Sequence, residues 1–208
     1  SKATGSKVHI SHLSSAGSVE LLALAKSQGL NVTSEVCPHH LTLTQESVLT
    51  DGSYYAATPG YAYDTNSKMY PPLRSQVDKE ALIQGLADGI IDCIATDHAP
   101  HDVVSKHTTF DSAAFGISVF ETGVASVLGL VQQNKLSITR MIESLTVNPC
   151  NVLGGSFKQY KSLAQGSIAD IVIIDPERTW VVNTDDFVSK GKNTPLEGTT
   201  MTGRVIAT

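Results

Sequence analysis

Apolar runs with the two-residue period of strands alternate along the first hundred positions with stretches of helical period. Lys7 to Leu13 reads as a short strand, with Val8, Ile10 and His12 on one face and His9 and Ser11 on the other. That split predicts that His9 and His12 do not serve one site. Ser18 to Gln28 places Val19, Leu22 and Ala23 on one helical face, with Gly29 as a C-terminal stop. Asn31 to Cys37 is the next strand, ended by Pro38. Ser75-Gln76-Val77-Asp78 has the form of a capping box and opens a helix reaching Asp88, with Gly89 behind it. Ile90 to Ala95 then reads as a strand buried on both faces. This alternation predicts parallel βα units.

Other stretches interrupt the pattern. Thr50 to Tyr70 is rich in Gly, Asp, Asn, Ser and Tyr and predicts a long surface loop, a kind of segment that often carries function. Phe115 to Val131 and Ser137 to Leu153 read as helices, the second containing Asn148-Pro149. The composition shifts near Gly154-Gly155. Beyond it, Ile168 to Pro176 and Thr179 to Val182 are β-rich runs separated by turn residues. Three βα modules can be counted, where a β/α barrel has eight and about 250 residues. The chain is therefore expected to be the last part of a barrel followed by a small β region, with its end at Ile206-Ala207-Thr208 cut inside a strand.

Composition narrows the function classes. With 41% hydrophobic and 17% charged residues, the 208-residue chain is ordinary globular material for one or two domains. A net charge of −5 without a basic cluster argues against nucleic acid and anionic membrane surfaces. No apolar run approaches the ~20 residues of a membrane span. The first seven residues lack an initiator Met and do not form a signal peptide. Cys37, Cys93 and Cys150 are too widely spaced for a disulfide framework and predict a reducing, cytoplasmic setting.

The chemistry concentrates after the Ile90 to Ala95 strand, in Thr96-Asp97-His98-Ala99-Pro100-His101. A lone Asp there would be an ordinary helix cap. A carboxylate and two imidazoles behind a buried strand are costly unless they meet charge or hydrogen bonds. Catalytic residues of β/α barrels sit at such C-terminal strand ends. Asp97 and His12, at neighbouring strand ends, can share a divalent metal, with Asp97 as proton shuttle and His101 spaced to reach substrate. A lone strand histidine is more often a hydrogen-bonded core residue, the competing reading for His12. Cys37-Pro38-His39-His40 lacks the spacing of structural zinc sites, so His39 and His40 are expected to order a loop.

Thr96 to His101, together with Val8 to Ser14, Glu35 to Leu41 and Pro71-Pro72-Leu73-Arg74, resembles the bacterial-type dihydroorotases of the metal-dependent amidohydrolase superfamily. The resemblance covers nearly the whole chain. It implies an α/β fold: residues 1–154 as the last three βα units and terminal helices of a (β/α)8 TIM barrel, and residues 155–208 as part of a small β-sandwich domain. It also implies a zinc-dependent cyclic amide hydrolase of pyrimidine biosynthesis that interconverts N-carbamoyl-L-aspartate and L-dihydroorotate. His12 and Asp97 align with metal ligands, Asp97 with the catalytic acid–base, and His101, Phe115, Gly116 and Tyr70 with substrate contacts. The family's two zinc ions take their remaining ligands from earlier strands that this chain does not contain. Tyr70 stands where many members have a substrate-binding asparagine, and Ala114 where proline is usual. A small-molecule substrate is implied, with a homodimer or a complex with aspartate transcarbamoylase as alternative assemblies. Competing readings are a hydantoinase or allantoinase, which usually depart from His101, and an inactive dihydroorotase-like subunit scaffolding a transcarbamoylase. A non-catalytic barrel binding protein is the third. The 208 residues are not expected to be an autonomous enzyme.

Overall fold

The computed structural model describes residues 1–50, 62–160 and 162–208. In chain order the elements are β1 (Val8–Ile10), α1 (Ala16–Ser27), β2 (Val32–Val36), α2 (Pro38–Thr42), β3 (Leu49–Thr50), β4 (Ala62–Tyr63), α3 (Gln76–Ala87) and β5 (Cys93–Ile94). They continue with α4 (Val103–Lys106), α5 (Gly123–Gln132), α6 (Ile138–Leu145), α7 (Val147–Leu153), β6 (Ile173–Val181) and β7 (Thr200–Ala207). β1, β2 and β5 form one parallel sheet in that order, with Val8 opposite Val32 and Glu35 opposite Cys93. Strand, helix and parallel strand repeat as a portion of a β/α barrel does. Leu13, Val19, Leu22, Val36, Leu82, Leu86, Ile91, Val127 and Met141 fill the core between this sheet and α1, α3, α5 and α6.

Local chemistry explains most boundaries. Ser15 caps α1 by accepting from Ser18 N. Ser75 and Asp78 complete the expected capping box of α3, and Gly89 follows its C-cap in the left-handed region at φ 79°. The helix expected over 137–153 is two helices broken at Thr146. Pro149 provides the reason: its ring obstructs the carbonyl four residues earlier, at Leu145, and it has no N–H to donate.

Four expectations are corrected. The strand expected to run from Lys7 through Leu13 stops at Ile10, and His12 lies at φ 56°. The helix expected over 115–131 begins only at Gly123 and runs to Gln132. Gly116, Ser118, Val119 and Phe120 instead donate their N–H groups to Lys68 O, Asn193 O and, for the last two, His98 Nδ1, leaving no helical ladder. The β-rich runs after 168 form one strand from Ile173, antiparallel to β7 and irregular between Asp175 and Thr179. Of the surface loop expected over 50–70, residues 51–61 lie outside the described part, whereas Thr65, Ser67, Lys68 and Met69 are buried. The three cysteines are free, and no helix among the described residues is long and apolar enough to cross a membrane.

Candidate metal and substrate site at the strand ends

His12 and Asp97 each follow a parallel strand by a few residues, and both adopt the left-handed backbone at φ 56° and 48°. Among the described residues only Asn134 shares this conformation without being glycine. Non-glycine residues rarely adopt it unless their surroundings impose it, and such residues cluster at functional sites. Here it brings the two side chains together, with His12 Nε2 3.8 Å from Asp97 Oδ1. That gap is too long for a hydrogen bond and short enough for one cation ~2.1 Å from each atom.

Glu35, which the sequence reading left without a role, organises this pair. Its Oε1 lies 3.2 Å from His12 Nδ1 and its Oε2 3.2 Å from His9 Nε2. His9 Nδ1 in turn lies 2.8 Å from Thr33 Oγ1. His9 and His12 thus meet on one carboxylate, contrary to the alternation expected of a longer strand. A carboxylate on Nδ1 leaves Nε2 as the lone-pair nitrogen facing Asp97, the arrangement that orients metal-ligating histidines. A charged residue one position before the end of a parallel strand was the available signal. Burial raises the Asp97 pKa, His12 lowers it and the Glu35 charge raises it, with a net upward shift. Cys37 Sγ also approaches His12 Nδ1, at 3.5 Å. Burial and the Asp97 and Glu35 charges push this thiol well above its usual range, so it is neutral at pH 7. His12, Cys37 and Asp97 together present one nitrogen, one sulfur and one oxygen within 4.8 Å of one another.

The remaining expected residues gather beside Asp97. His98 does not face the pair: its Nδ1 accepts from Val119 N and Phe120 N, its Nε2 lies 3.3 Å from Ser189 Oγ, and its ring stacks on Phe120. Ala99 N bonds Ile117 O, laying the 98–101 turn against 115–117. His101 Nε2 donates to Phe115 O at 2.8 Å, which leaves Nδ1 for a ligand. Tyr70 and Phe115 are exposed and meet edge to face with centroids 5.8 Å apart. Gly116, at φ 132°, is required by packing, because a Cβ there would collide with Ala99. Its N–H is committed to Lys68 O.

Two further residues hold this cluster and were not foreseen. Lys106 is buried and donates to Thr65 O, Lys68 O and Ala114 O. Burial lowers its pKa to about 8, the Asp64 charge opposing the shift and Lys68 adding to it. Asn193, also buried, accepts from His101 N and donates to Ala99 O and Gly116 O. His40 Nε2 donates to Pro71 O, which ties down the turn behind Tyr70. The His39 ring nitrogens have no hydrogen-bond partner among the described residues, and burial lowers its pKa well below the usual histidine range. A cavity of about 590 Å³ opens beside His101, bordered by Asp64, Asp102, Lys106, Lys192 and Asn193.

Comparison with known proteins places these features in a family. The chain is 49% identical over 208 residues to a protein of Thermoanaerobacter sp. (strain X514) named dihydroorotase, and 45% identical over 205 residues to one of the same name from Caldanaerobacter subterraneus subsp. tengcongensis. It covers 100% and 98% of itself in these matches but 44% of either relative, so it spans under half their length. Among solved structures, the L-hydantoinase (dihydropyrimidinase) of Arthrobacter aurescens matches with a TM-score of 0.85 at 28% identity, over 99% of this chain and 44% of that one. The D-hydantoinase of Thermus sp. matches with a TM-score of 0.83 at 26% identity, over 98% and 43%. The sequence pattern of the Amidohydrolase family extends over residues 2–207. With that pattern running across almost its whole length, this chain belongs to the amidohydrolase family.

Proposed function

We propose that this chain is the C-terminal part of a dihydroorotase that reversibly interconverts N-carbamoyl-L-aspartate and L-dihydroorotate with zinc. The observation that carries the reading is the pair His12 and Asp97, both in left-handed backbone and 3.8 Å apart at the strand ends. Relatives named dihydroorotase at 41–49% identity support the substrate. His12 Nε2 and Asp97 would hold the metal, within a set of two ions whose other ligands lie outside this chain. Zinc bound there supplies the Lewis acidity that makes water a nucleophile at neutral pH. Asp97 accepts the proton of the attacking water and returns it to the ring nitrogen as the amide bond opens. His101, through Nδ1, and Tyr70 contact the substrate, Phe115 and Gly116 form the wall beside them, and the partner of the substrate's carboxylate lies outside this chain. The aromatic edge of Tyr70 and Phe115 limits water at the mouth, and the Tyr70 hydroxyl takes the place of an asparagine contact.

In the same reading, the domain boundary falls at 154/155 and the β6–β7 hairpin belongs to a β-sandwich. The free thiols suit a cytoplasmic enzyme, acting as a homodimer or with aspartate transcarbamoylase. The solved hydantoinases favour a second reading, a hydantoinase-like cyclic amide hydrolase. The intact zinc-loaded enzyme assayed on dihydroorotate, hydantoin and dihydrouracil decides between them. Preference for dihydroorotate supports the first reading. Comparable efficiency on dihydrouracil, which lacks the carboxylate, would replace it with the second.

A further inference from the structure

We propose that Asn193 is a positioning residue of the substrate pocket, joining His101 and the Phe115–Gly116 pair into one unit through its side-chain amide. The inference rests on the reading that those residues border the substrate. His101 and Phe115–Gly116 come from segments separated by a polar stretch and a short helix. Their mutual placement needs something beyond chain connectivity. The His101 Nε2 to Phe115 O bond is one link, but it uses the very side chain that must also meet substrate.

Asn193 supplies links that leave the His101 ring free. Its Oδ1 accepts from His101 N at 2.7 Å, and its Nδ2 donates to Ala99 O at 3.1 Å and Gly116 O at 3.0 Å. Both amide hydrogens and the amide oxygen are therefore used, as a buried amide requires. The orientation of the amide is forced, since a flip would set Nδ2 against an N–H and Oδ1 against two carbonyls. The backbone of the same residue accepts from Ser118 N at 2.8 Å. Gly191 allows this approach: a Cβ there would stand 2.5 Å from Pro100 Cβ and 2.6 Å from His101 N. Ser118 Oγ to Gly191 O and Ser189 N to Glu121 Oε1 fasten the rest of the segment. A segment remote in sequence is thereby built into the wall of the substrate pocket, while none of these contacts reaches His12.

The test is a double-mutant cycle in the intact zinc-loaded enzyme. Asn193→Asp keeps the shape and the acceptor for His101 N but turns a carboxylate oxygen onto two carbonyls. KM is expected to rise roughly tenfold or more while kcat stays within about threefold and zinc content is unchanged. Because Asn193 acts through His101 and Gly116, its effect in a His101→Ala background is expected to shrink strongly. The cycle is run on whichever cyclic amide the wild type hydrolyses. Failure on dihydroorotate then strikes the proposed substrate, and an additive cycle strikes Asn193. Asn193→Ser, which shortens the side chain without adding charge, repeats the cycle if the Asp variant does not fold. An unchanged KM, lost zinc, additive effects, or misfolding of both variants would overturn the positioning role.

Discussion

Asp97 stands at the junction of two constraints. Its backbone is turned into the left-handed region, its carboxylate faces His12, and the 98–101 turn that carries His101 begins at the next residue. On the proposed reading Asp97 accepts the proton of the attacking water, and Asp97→Asn keeps the volume while removing that acceptor. In the intact enzyme, kcat is expected to fall by about 10²–10⁴, measured as dihydroorotate ring opening at saturating zinc. Glu35 acts one step back, fixing the His12 tautomer from Nδ1 while His9 and Thr33 hold it in place. Glu35→Gln can still hydrogen bond but no longer provides the negative charge. Zinc affinity is expected to drop about 10–100-fold, read by competition with a chelator, with secondary structure unchanged.

At the level of elements, the loops around the site are shaped by which backbone groups they must satisfy. Residues 115–120 have apolar character suited to a helix, yet their N–H groups face Lys68 O, Asn193 O and the His98 ring. Lys106, from α4, closes the same region by binding three carbonyls. Replacing it with methionine strands those acceptors, so Lys106→Met is expected to destabilise the intact enzyme at pH 7 by about 1–3 kcal/mol in urea denaturation. The pH dependence has a definite sign. The folded-state pKa is lowered to about 8, against an ordinary 10.5, so between these values the unfolded chain carries a proton that folded Lys106 has lost. The contribution of Lys106 to stability therefore rises as pH increases from 8 to 10.5, and the stability gap between wild type and Lys106→Met widens over that range. A gap that narrows there would contradict the buried ammonium.

On the scale of the whole molecule, a sheet of three parallel strands cannot close on itself. The outer edges of β1 and β5 carry backbone groups that a closed barrel would pair. Catalytic zinc usually takes about three protein ligands. His12 and Asp97 are the two proposed here, and Cys37, although close, is held as a neutral thiol. Expressed as residues 1–208 only, the chain is expected to self-associate, to bind zinc weakly and to leave dihydroorotate unhydrolysed. Light scattering, metal analysis and the ring-opening assay check each point. A monodisperse, zinc-loaded and active product would contradict the barrel-portion reading.

The sequence by itself determined the parts governed by local rules. Hydrophobic period placed α1 and α3 within a few residues, and the Ser75–Asp78 capping box set the start of α3. The buried run before Asp97 located the strand end, and the motif after it offered Asp97 and His101 as candidates, with His12 offered by the segment behind the first strand. Tertiary structure decided whatever depended on distant partners. Periodicity extended the first strand to Leu13 because it cannot register a left-handed residue at His12, so the meeting of His9 and His12 on Glu35 stayed hidden. It read residues 115–122 as helix because it cannot know that their N–H groups are taken by acceptors far along the chain. Asn193 sits 92 positions from His101, and nothing local marks it as part of the pocket wall. Its place there follows from hydrogen bonds that form only once the chain has folded back on itself.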